Sequence, residues 1–336
     1  MNREKFGNTA DGGTVERVSI SGGGLSAHIL TWGAVVQDLQ LEGHDAPLVL
    51  GFEKFEYYPA FSPYFGATAG RYANRIRNGR FSIDGTEYQV DTNFLGKHLL
   101  HGGSQGIGKR IWSIGEHGKS HVTLLLEDRD GMMGFAGNCL HSVTFALMDG
   151  GIFSITMQSE TDAPTLVNLA HHSYFNLDGG SDILDHRLSI AAESYIPVDD
   201  EAIPLGPIEP VAGTPFDFRQ SRPVRHEDGG TQFAYDHNFC LANARRGLCQ
   251  VASVESPHSG ITMNVETTEP GLQFYAGHKV NIEVPGLGGR RYGAYCGMCL
   301  EPQIWPDSPN HPDYPQAVLR PGEKYRQETR YRFSAK

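Results

Sequence analysis

The chain contains 336 residues, 39% of them hydrophobic, and carries a formal net charge of −11. A chain of this length can bury a sizeable core. The acidic balance and the lack of any basic run in the sequence exclude a surface that follows a nucleic-acid backbone. We therefore predict a folded protein with no nucleic-acid partner.

No secretion or membrane signal is visible in the sequence. Residues 1–18 contain no apolar core of the kind found in secretory signals, and no stretch approaches the ~20 apolar residues that span a bilayer. An odd number of cysteines in such a chain favours free thiols over disulfides. We predict a cytoplasmic protein that does not contact membranes. The cysteines are Cys139, Cys240, Cys249, Cys296 and Cys299.

Strand signals recur along the chain, and helical periodicity is nearly absent. Residues 80–90 predict a hairpin around Asp84-Gly85, because this pair supplies the positive φ of a two-residue turn. Residues 145–157 predict a second hairpin, whose second arm alternates apolar and polar residues as a half-buried strand does. A short helix or turn is predicted near 52–58. Further strands are predicted over 25–41, 121–127, 186–196, 249–255, 261–267, 272–276 and 295–300.

The chain shows no sign of division into separate domains. It has no internal repeat of fixed period and no low-complexity linker. The polar segment 199–232 contains scattered apolar residues, which favours an ordered loop over a sheet. We predict one domain over residues 1–336, with an all-β fold: a large antiparallel β-sandwich with few short helices.

The segment Leu300–Asp307 combines one glutamate with two prolines and a tryptophan. Proline lacks an N–H and fixes φ, so regular structure is predicted to stop at Pro302 and Pro306. Glu301 would then be held at a rigid strand edge beside aromatic surface. A carboxylate placed in this way can act as a general base when an acid faces it.

The segment 169–177 supplies the candidate acid. Adjacent residues on a strand face opposite sides, so only one of His171 and His172 can face a given cleft, and Tyr174 would share the face of His172. A buried structural histidine is the alternative. Catalysis by one of the two histidines is favoured over that alternative.

Further segments carry polar groups suited to binding sugar hydroxyls. Asn74 and Arg75 offer fixed forks of donors, and His101 precedes two glycines that let a ligand approach the backbone. Asp236 lies among aromatic residues, and Gln273 is a polar residue on an apolar strand. Each has a structural alternative. Asn74 and Arg75 could lie at a solvated strand edge, and His101 could be a structural histidine. Asp236 could form an Asx-turn, and Gln273 could be a structural amide of the sheet.

Motifs for cofactors and metals are weak or absent. Cys296 and Cys299 form a lone CxxC without a second ligand pair for zinc or a redox context, so core cysteines are predicted. His98 and His101 could hold a metal, but the remaining ligands are not apparent. The glycine-rich stretches match neither a P-loop nor a dinucleotide fingerprint. We predict no cofactor and no metal.

Six motifs in order strongly resemble the aldose 1-epimerases. They read GRYANRI, LHGG, HHSYFNL, YDHNF, GLQFY and LEPQIWPDSPN, and the likeness extends from about residue 33 to about residue 331. The resemblance implies a β-sandwich that interconverts the α and β anomers of an aldohexose such as glucose or galactose, without metal or cofactor. It implies Glu301 as general base and His172 as general acid. It implies sugar binding by Asn74, Arg75, His101, Tyr174, Asp236 and Gln273.

Two departures from the family pattern bear on substrate range. The family usually has Asn at the position of His171, and it commonly reads Gly-Phe-Asp-Lys where this chain has residues 106–109.

The expected mechanism pairs an ionised Glu301 with a His172 whose imidazolium form is favoured by the nearby carboxylate. The partner is a small aldohexose, and the protein is expected to be a monomer or a homodimer.

Three other functions fit the same residues. One is a non-catalytic carbohydrate-binding β-sandwich, which needs no acid–base pair. A second is a similar enzyme for another sugar or a sugar phosphate. The third is a metal-dependent enzyme using the residues His98, His101, His171, His172 and Glu301.

Overall fold

The computed structural model describes residues 2–335, and strands dominate it. One short helix, α1, covers Tyr57–Phe61, and single 3₁₀ turns cover Arg77–Gly79, Ile107–Lys109, Met132–Gly134, Leu287–Gly289 and Ser308–Asn310. The strands, in chain order, are β1 (Asn2–Asn8), β2 (Thr14–Gly22), β3 (Leu25–Leu30), β4 (Val35–Leu41), β5 (Ala67–Ala69), β6 (Arg75–Ile76), β7 (Arg80–Ile83), β8 (Thr86–Gln89), β9 (Leu99–Leu100), β10 (Ser113–His117), β11 (His121–Asp128), β12 (Cys139–Met148), β13 (Ile152–Thr161), β14 (Thr165–Leu166), β15 (Ala170–His172), β16 (Arg187–Ile190), β17 (Ser194–Ile196), β18 (Glu209–Pro210), β19 (Arg222–Pro223), β20 (Glu227–Asp228), β21 (Thr231–Gln232), β22 (Asp236–Cys240), β23 (Cys249–Glu255), β24 (Ile261–Thr267), β25 (Gly271–Tyr275), β26 (Cys299–Gln303), β27 (Val318–Leu319) and β28 (Tyr325–Ala335).

The largest sheet has nine antiparallel strands in the order β10-β11-β12-β13-β28-β24-β23-β16-β19. Its central hairpin, β12–β13, is the one predicted from residues 145–157. Phe153, Ile155 and Met157 alternate along β13 and are all buried, so the predicted core face is confirmed. Along β28 every second side chain is likewise buried, so one face of this strand also lies in the core.

A five-stranded sheet in the order β18-β17-β22-β25-β26 lies on the other side of this core. Leu272, Phe274 and Leu300 point inward and join one apolar cluster with residues of the nine-stranded sheet. Because side chains alternate along a strand, the intervening residues point to the opposite face. The fold is therefore the predicted all-β sandwich, and the outward face of the smaller sheet is free to carry polar groups.

The predictions for single elements met with mixed outcomes. The helix begins at Tyr57, later than expected, and the predicted strand 25–41 is two strands, because Gly33 and Ala34 turn the chain with positive φ. Regular structure does not stop at Pro302, so that prediction was wrong: β26 continues to Gln303. Proline is tolerated there because β26 is the last strand of its sheet and needs no outward N–H.

The segment 199–232 is an ordered cover, as predicted. It contains only two-residue strands, and its apolar residues Ile203, Phe216 and Phe218 are buried. The five cysteines are free thiols, which also agrees with the prediction. Within residues 2–335, no helix has the length and apolar character that crossing a bilayer requires.

Candidate active site

The outward face of the five-stranded sheet carries two rows of residues that meet across neighbouring strands. Asn238 of β22, Gln273 of β25 and Glu301 of β26 are aligned partners in one row. Asp236, Tyr275 and Cys299 are aligned in the next row. The strand register alone therefore brings three sequence-predicted residues together: Asp236, Gln273 and Glu301.

Strand β15 delivers the candidate acid to the same face. His172 ends this strand, and its Nε2 lies 3.6 Å from Oε2 of Glu301. The ring of Tyr174 stacks on the imidazole with centroids 5.2 Å apart, while its hydroxyl donates to the carbonyl of Pro63 at 2.9 Å. The hydroxyl is thus already used, and Tyr174 presents its ring face at the site.

A second group of residues surrounds Asp236. The Arg75 Nη2 lies 3.5 Å from Asp236 Oδ2, and Gln273 Nε2 donates to Asp236 Oδ1 at 2.7 Å. Asn74 has positive φ, accepts the backbone N–H of Arg75 on its Oδ1 at 2.9 Å, and donates its own backbone N–H to Nδ1 of His101 at 3.2 Å. These contacts hold four predicted binding residues in fixed positions around Asp236.

Several polar atoms of this cluster are buried without a hydrogen-bond partner. They include Glu301 Oε2, Arg75 Nε and Gln273 Oε1. Buried polar groups in folded proteins are nearly always satisfied, and each such group costs about 1–3 kcal/mol when it is not. Three of them around one point indicate a site built for a ligand with several hydroxyl groups.

Burial controls the protonation of the central pair. It raises the pKa of Glu301 well above its ordinary range, with the charge of Asp236 adding to the effect and Arg75 opposing it. Burial also lowers the pKa of His172 to about 4, although Asp236 acts in the opposite direction. Both directions run against the sequence-based expectation of an ionised glutamate and a favoured imidazolium, because desolvation outweighs attraction.

The pKa values of the two neighbouring groups, Asp236 and His101, are both lowered. Burial would raise the pKa of Asp236, but Arg75 and the amide of Gln273 outweigh it and hold that pKa below its ordinary value. Burial lowers the pKa of His101 well below its ordinary range, and the charge of His172 and the cation Arg75 add to this. The site thus offers one fixed anion at Asp236 and a neutral imidazole at His101.

Two of the five candidate metal ligands lie elsewhere. The His171 ring packs among Phe145, Phe153 and Tyr331 in the core and contacts Ser173 Oγ at 2.7 Å. It does not enter the cleft. His98 accepts a backbone N–H from Asn78 and contacts Glu201 instead.

The other three do meet. His101, His172 and Glu301 place one ligand atom each within 4.8 Å of one another.

Sequence reasoning missed two neighbours of His172. The Tyr64 ring packs against His101 at 4.7 Å and stacks over His172 at 5.9 Å. Cys299, expected to be a plain core cysteine, places its Sγ 3.5 Å from Nδ1 of His172. The i, i+2 spacing of Cys299 and Glu301 on one strand is the signal that could have found the second contact.

Comparison with known proteins agrees with this geometry. The family model described as aldose 1-epimerase matches residues 16–332. The galactose mutarotase of Mus musculus is 41% identical over 344 aligned positions, which cover 99% of this chain and 98% of the relative. The aldose 1-epimerase of Escherichia coli K12 is 38% identical and covers 93% of each chain.

A solved structure is similar over the same extent. The crystal structure of a GalM/aldose epimerase homologue from C. elegans superposes with a TM-score of 0.89 at 30% identity, covering 95% of this chain and 98% of that one. The resemblance seen in the six motifs is confirmed at the level of the whole sequence and of the fold. The chain belongs to the aldose 1-epimerase family.

Proposed function

We propose that this protein is an aldose 1-epimerase that interconverts the α and β anomers of an aldohexose. The observation that carries the proposal is the buried pair Glu301–His172, 3.6 Å apart, beside unsatisfied polar atoms that suit a sugar's hydroxyl groups. A relative named galactose mutarotase, 41% identical, supports galactose as the sugar. The free thiols agree with a cytoplasmic protein.

Ring opening of a hemiacetal requires two proton movements. The C1 hydroxyl loses a proton while the ring oxygen gains one, and the C1–O5 bond breaks to give the aldehyde. Glu301 takes the first proton and His172 supplies the second. The aldehyde then turns about C1–C2, and closure on its other face returns both protons.

Two such groups supply enough catalysis for this reaction. Each positioned proton-transfer group is typically worth ~10²–10⁴-fold.

The pair needs one proton to begin the cycle, and burial favours the neutral form of each group in the unliganded protein. A sugar hydroxyl that donates to the unpartnered Glu301 Oε2 stabilises the carboxylate. The proton then moves to His172, and the charged pair forms only when a substrate is in place. Binding of the sugar thereby activates both groups together.

The fixed residues orient the sugar. Arg75 and Gln273 outweigh the effect of burial and keep the pKa of Asp236 below its ordinary value. The carboxylate is therefore ionised and can accept hydrogen bonds from sugar hydroxyls. Arg75 Nε and Gln273 Oε1 have no protein partner and supply a donor and an acceptor. Nδ1 of the neutral His101 accepts the backbone N–H of Asn74, so Nε2 is the ring nitrogen that remains for the sugar.

Polarimetry tests the proposal directly. Freshly dissolved α-D-glucose and α-D-galactose should lose their initial rotation faster with the wild type than in buffer. Glu301→Gln keeps the side-chain shape and removes the base, so it should lose at least ~10²-fold in rate while still binding the sugar. Circular dichroism of the variant checks that it is folded.

The alternatives give different results in the same assay. Saturable sugar binding without any rate effect in folded wild type would contradict catalysis and leave a carbohydrate-binding module. Loss of activity on chelation, with recovery on adding a divalent cation, would instead assign His101, His172 and Glu301 to a metal. We expect chelators to leave the rate unchanged.

A further inference from the structure

Cys299 contacts His172 at Nδ1, the ring nitrogen that does not face Glu301. It lies two residues before Glu301 on β26, so both side chains point to the same face of the sheet. Glu301 approaches Nε2 of His172 and Cys299 approaches Nδ1, at 3.6 and 3.5 Å, respectively. Two side chains of β26 therefore contact the two ring nitrogens of His172.

The proton cycle places a chemical requirement on Nδ1. An imidazole that gives a proton from Nε2 and takes one back there must keep its Nδ1–H throughout. In the other neutral tautomer Nε2 already carries hydrogen and cannot accept. Which tautomer exists is set by the hydrogen bond at the second nitrogen. The partner of Nδ1 therefore decides whether His172 can work.

The relative donor strengths of the two groups set the direction of this contact. The S–H of a cysteine is only a weak donor, whereas an imidazole N–H is a full hydrogen-bond donor. We therefore expect the sulfur of Cys299 to accept from Nδ1–H of His172, 3.5 Å away.

Burial keeps Cys299 and Tyr174 protonated. Cys299 is fully buried and Tyr174 nearly so. Burial raises the pKa values of both groups well above their ordinary ranges, so neither is ionised near neutral pH. Burial also lowers the pKa of His172 to about 4, so the ring is neutral at pH 7 and its tautomer is a defined property.

We propose that Cys299 is a positioning residue for the proposed epimerase reaction: its sulfur accepts the Nδ1–H of His172 and so keeps Nε2 free to exchange protons. Cys299 acts through His172 and does not touch the sugar. The inference rests on the proposed function for its rate effect, whereas the tautomer it assigns is a property of the protein alone.

Steady-state kinetics with three variants tests the rate effect. Cys299→Ala removes the acceptor and should lower kcat about 5- to 10-fold, the worth of one modest hydrogen bond, with KM unchanged. Cys299→Ser keeps a group that both donates and accepts, and should recover most of kcat. Cys296→Ala is the matched control, because Cys296 is a second buried thiol of the same apolar cluster as Cys299.

Nitrogen-15 NMR of histidine-labelled protein at pH 7 tests the tautomer, with His172 assigned through His172→Gln. The wild type should show Nδ1–H. Cys299→Ala removes the acceptor at Nδ1 and should shift His172 toward Nε2–H. An Nε2–H wild type, an unchanged kcat in Cys299→Ala, or an equal loss in Cys296→Ala would each overturn the inference. An inactive wild type with Nδ1–H would instead count against the proposed function alone.

Discussion

Oε2 of Glu301 and Nε2 of His172 lie 3.6 Å apart, and both side chains are almost fully buried. Burial raises the pKa of Glu301 well above its ordinary value and lowers that of His172 to about 4. Between these limits the two groups share one proton. Such a pair titrates as a unit, so the limbs of a pH profile belong to both residues together.

The pH profile of kcat/KM should therefore be a broad plateau. Below about pH 4 the pair takes up a second proton and can no longer accept the C1 proton. Above the raised pKa of Glu301 the pair loses its single proton, and nothing can protonate the ring oxygen. Initial polarimetric rates, corrected for the buffer reaction and checked for folding by circular dichroism, measure both limbs.

An acid limb near 6.5, the ordinary value of a histidine, would contradict this prediction. It would mean that His172 titrates as a solvated group and that burial does not govern the pair. The unliganded protein is the relevant species, because kcat/KM reports the pKa values of the free enzyme.

Arg75 is expected to contribute mainly to sugar binding. Its guanidinium lies 3.5 Å from Asp236 and 4.7 Å above the ring of Phe94, and its buried Nε has no partner. Arg75→Ala should raise KM about 10- to 100-fold, the range for a charge-assisted hydrogen bond. Arg75→Lys keeps the charge but loses the planar fork, so it should recover only part of the affinity.

Initial-rate kinetics separates KM from kcat in these two variants. Full recovery by lysine would show that charge alone matters at this position. An unchanged KM in Arg75→Ala would remove Arg75 from the sugar-binding group.

The sequence identified residues that the structure brings together, but it did not give the limits of the elements that carry them. Glu301, His172, Asp236 and Gln273 could be named because polar residues on apolar strands stand out, and the family motifs place them. The continuation of β26 through Pro302 could not be read locally, because it depends on β26 being the last strand of its sheet. Tertiary position decided that question, and proline's usual effect did not apply.

The direction of the pKa shifts of Glu301 and His172 could not be predicted from the sequence either. Proximity of Glu301 to His172 suggested that each would stabilise the other's charge, yet both are buried and desolvation dominates. The role of Cys299 was hidden for a related reason. A cysteine on an apolar strand is usually core packing, and only the position of the imidazole, set by β15, makes it a partner of His172.

Asp128 gives a prediction about stability, away from the site. Its carboxylate accepts from the fully buried Arg71 at 2.8 Å, contacts Arg110, and lies 3.8 Å from His141. Burial would raise its pKa, but His141 and Arg71 outweigh burial and hold that pKa well below the ordinary value. Asp128→Asn leaves a buried guanidinium without its counter-charge, which should cost about 3–5 kcal/mol in the free energy of unfolding.

Urea unfolding as a function of pH measures both the size and the sign of this contribution. A carboxyl group whose pKa is lower in the folded state stabilises the fold above its unfolded pKa of about 3.9, and this stability is lost as the pH falls through the folded value. The wild type should therefore lose stability below about pH 4 more steeply than Asp128→Asn does. Asp84→Asn is the matched control: its pair with Arg320 is exposed, so its removal should cause no measurable change at pH 7. Equal effects of the two substitutions would mean that the buried cluster around Arg71 does not stabilise the sandwich.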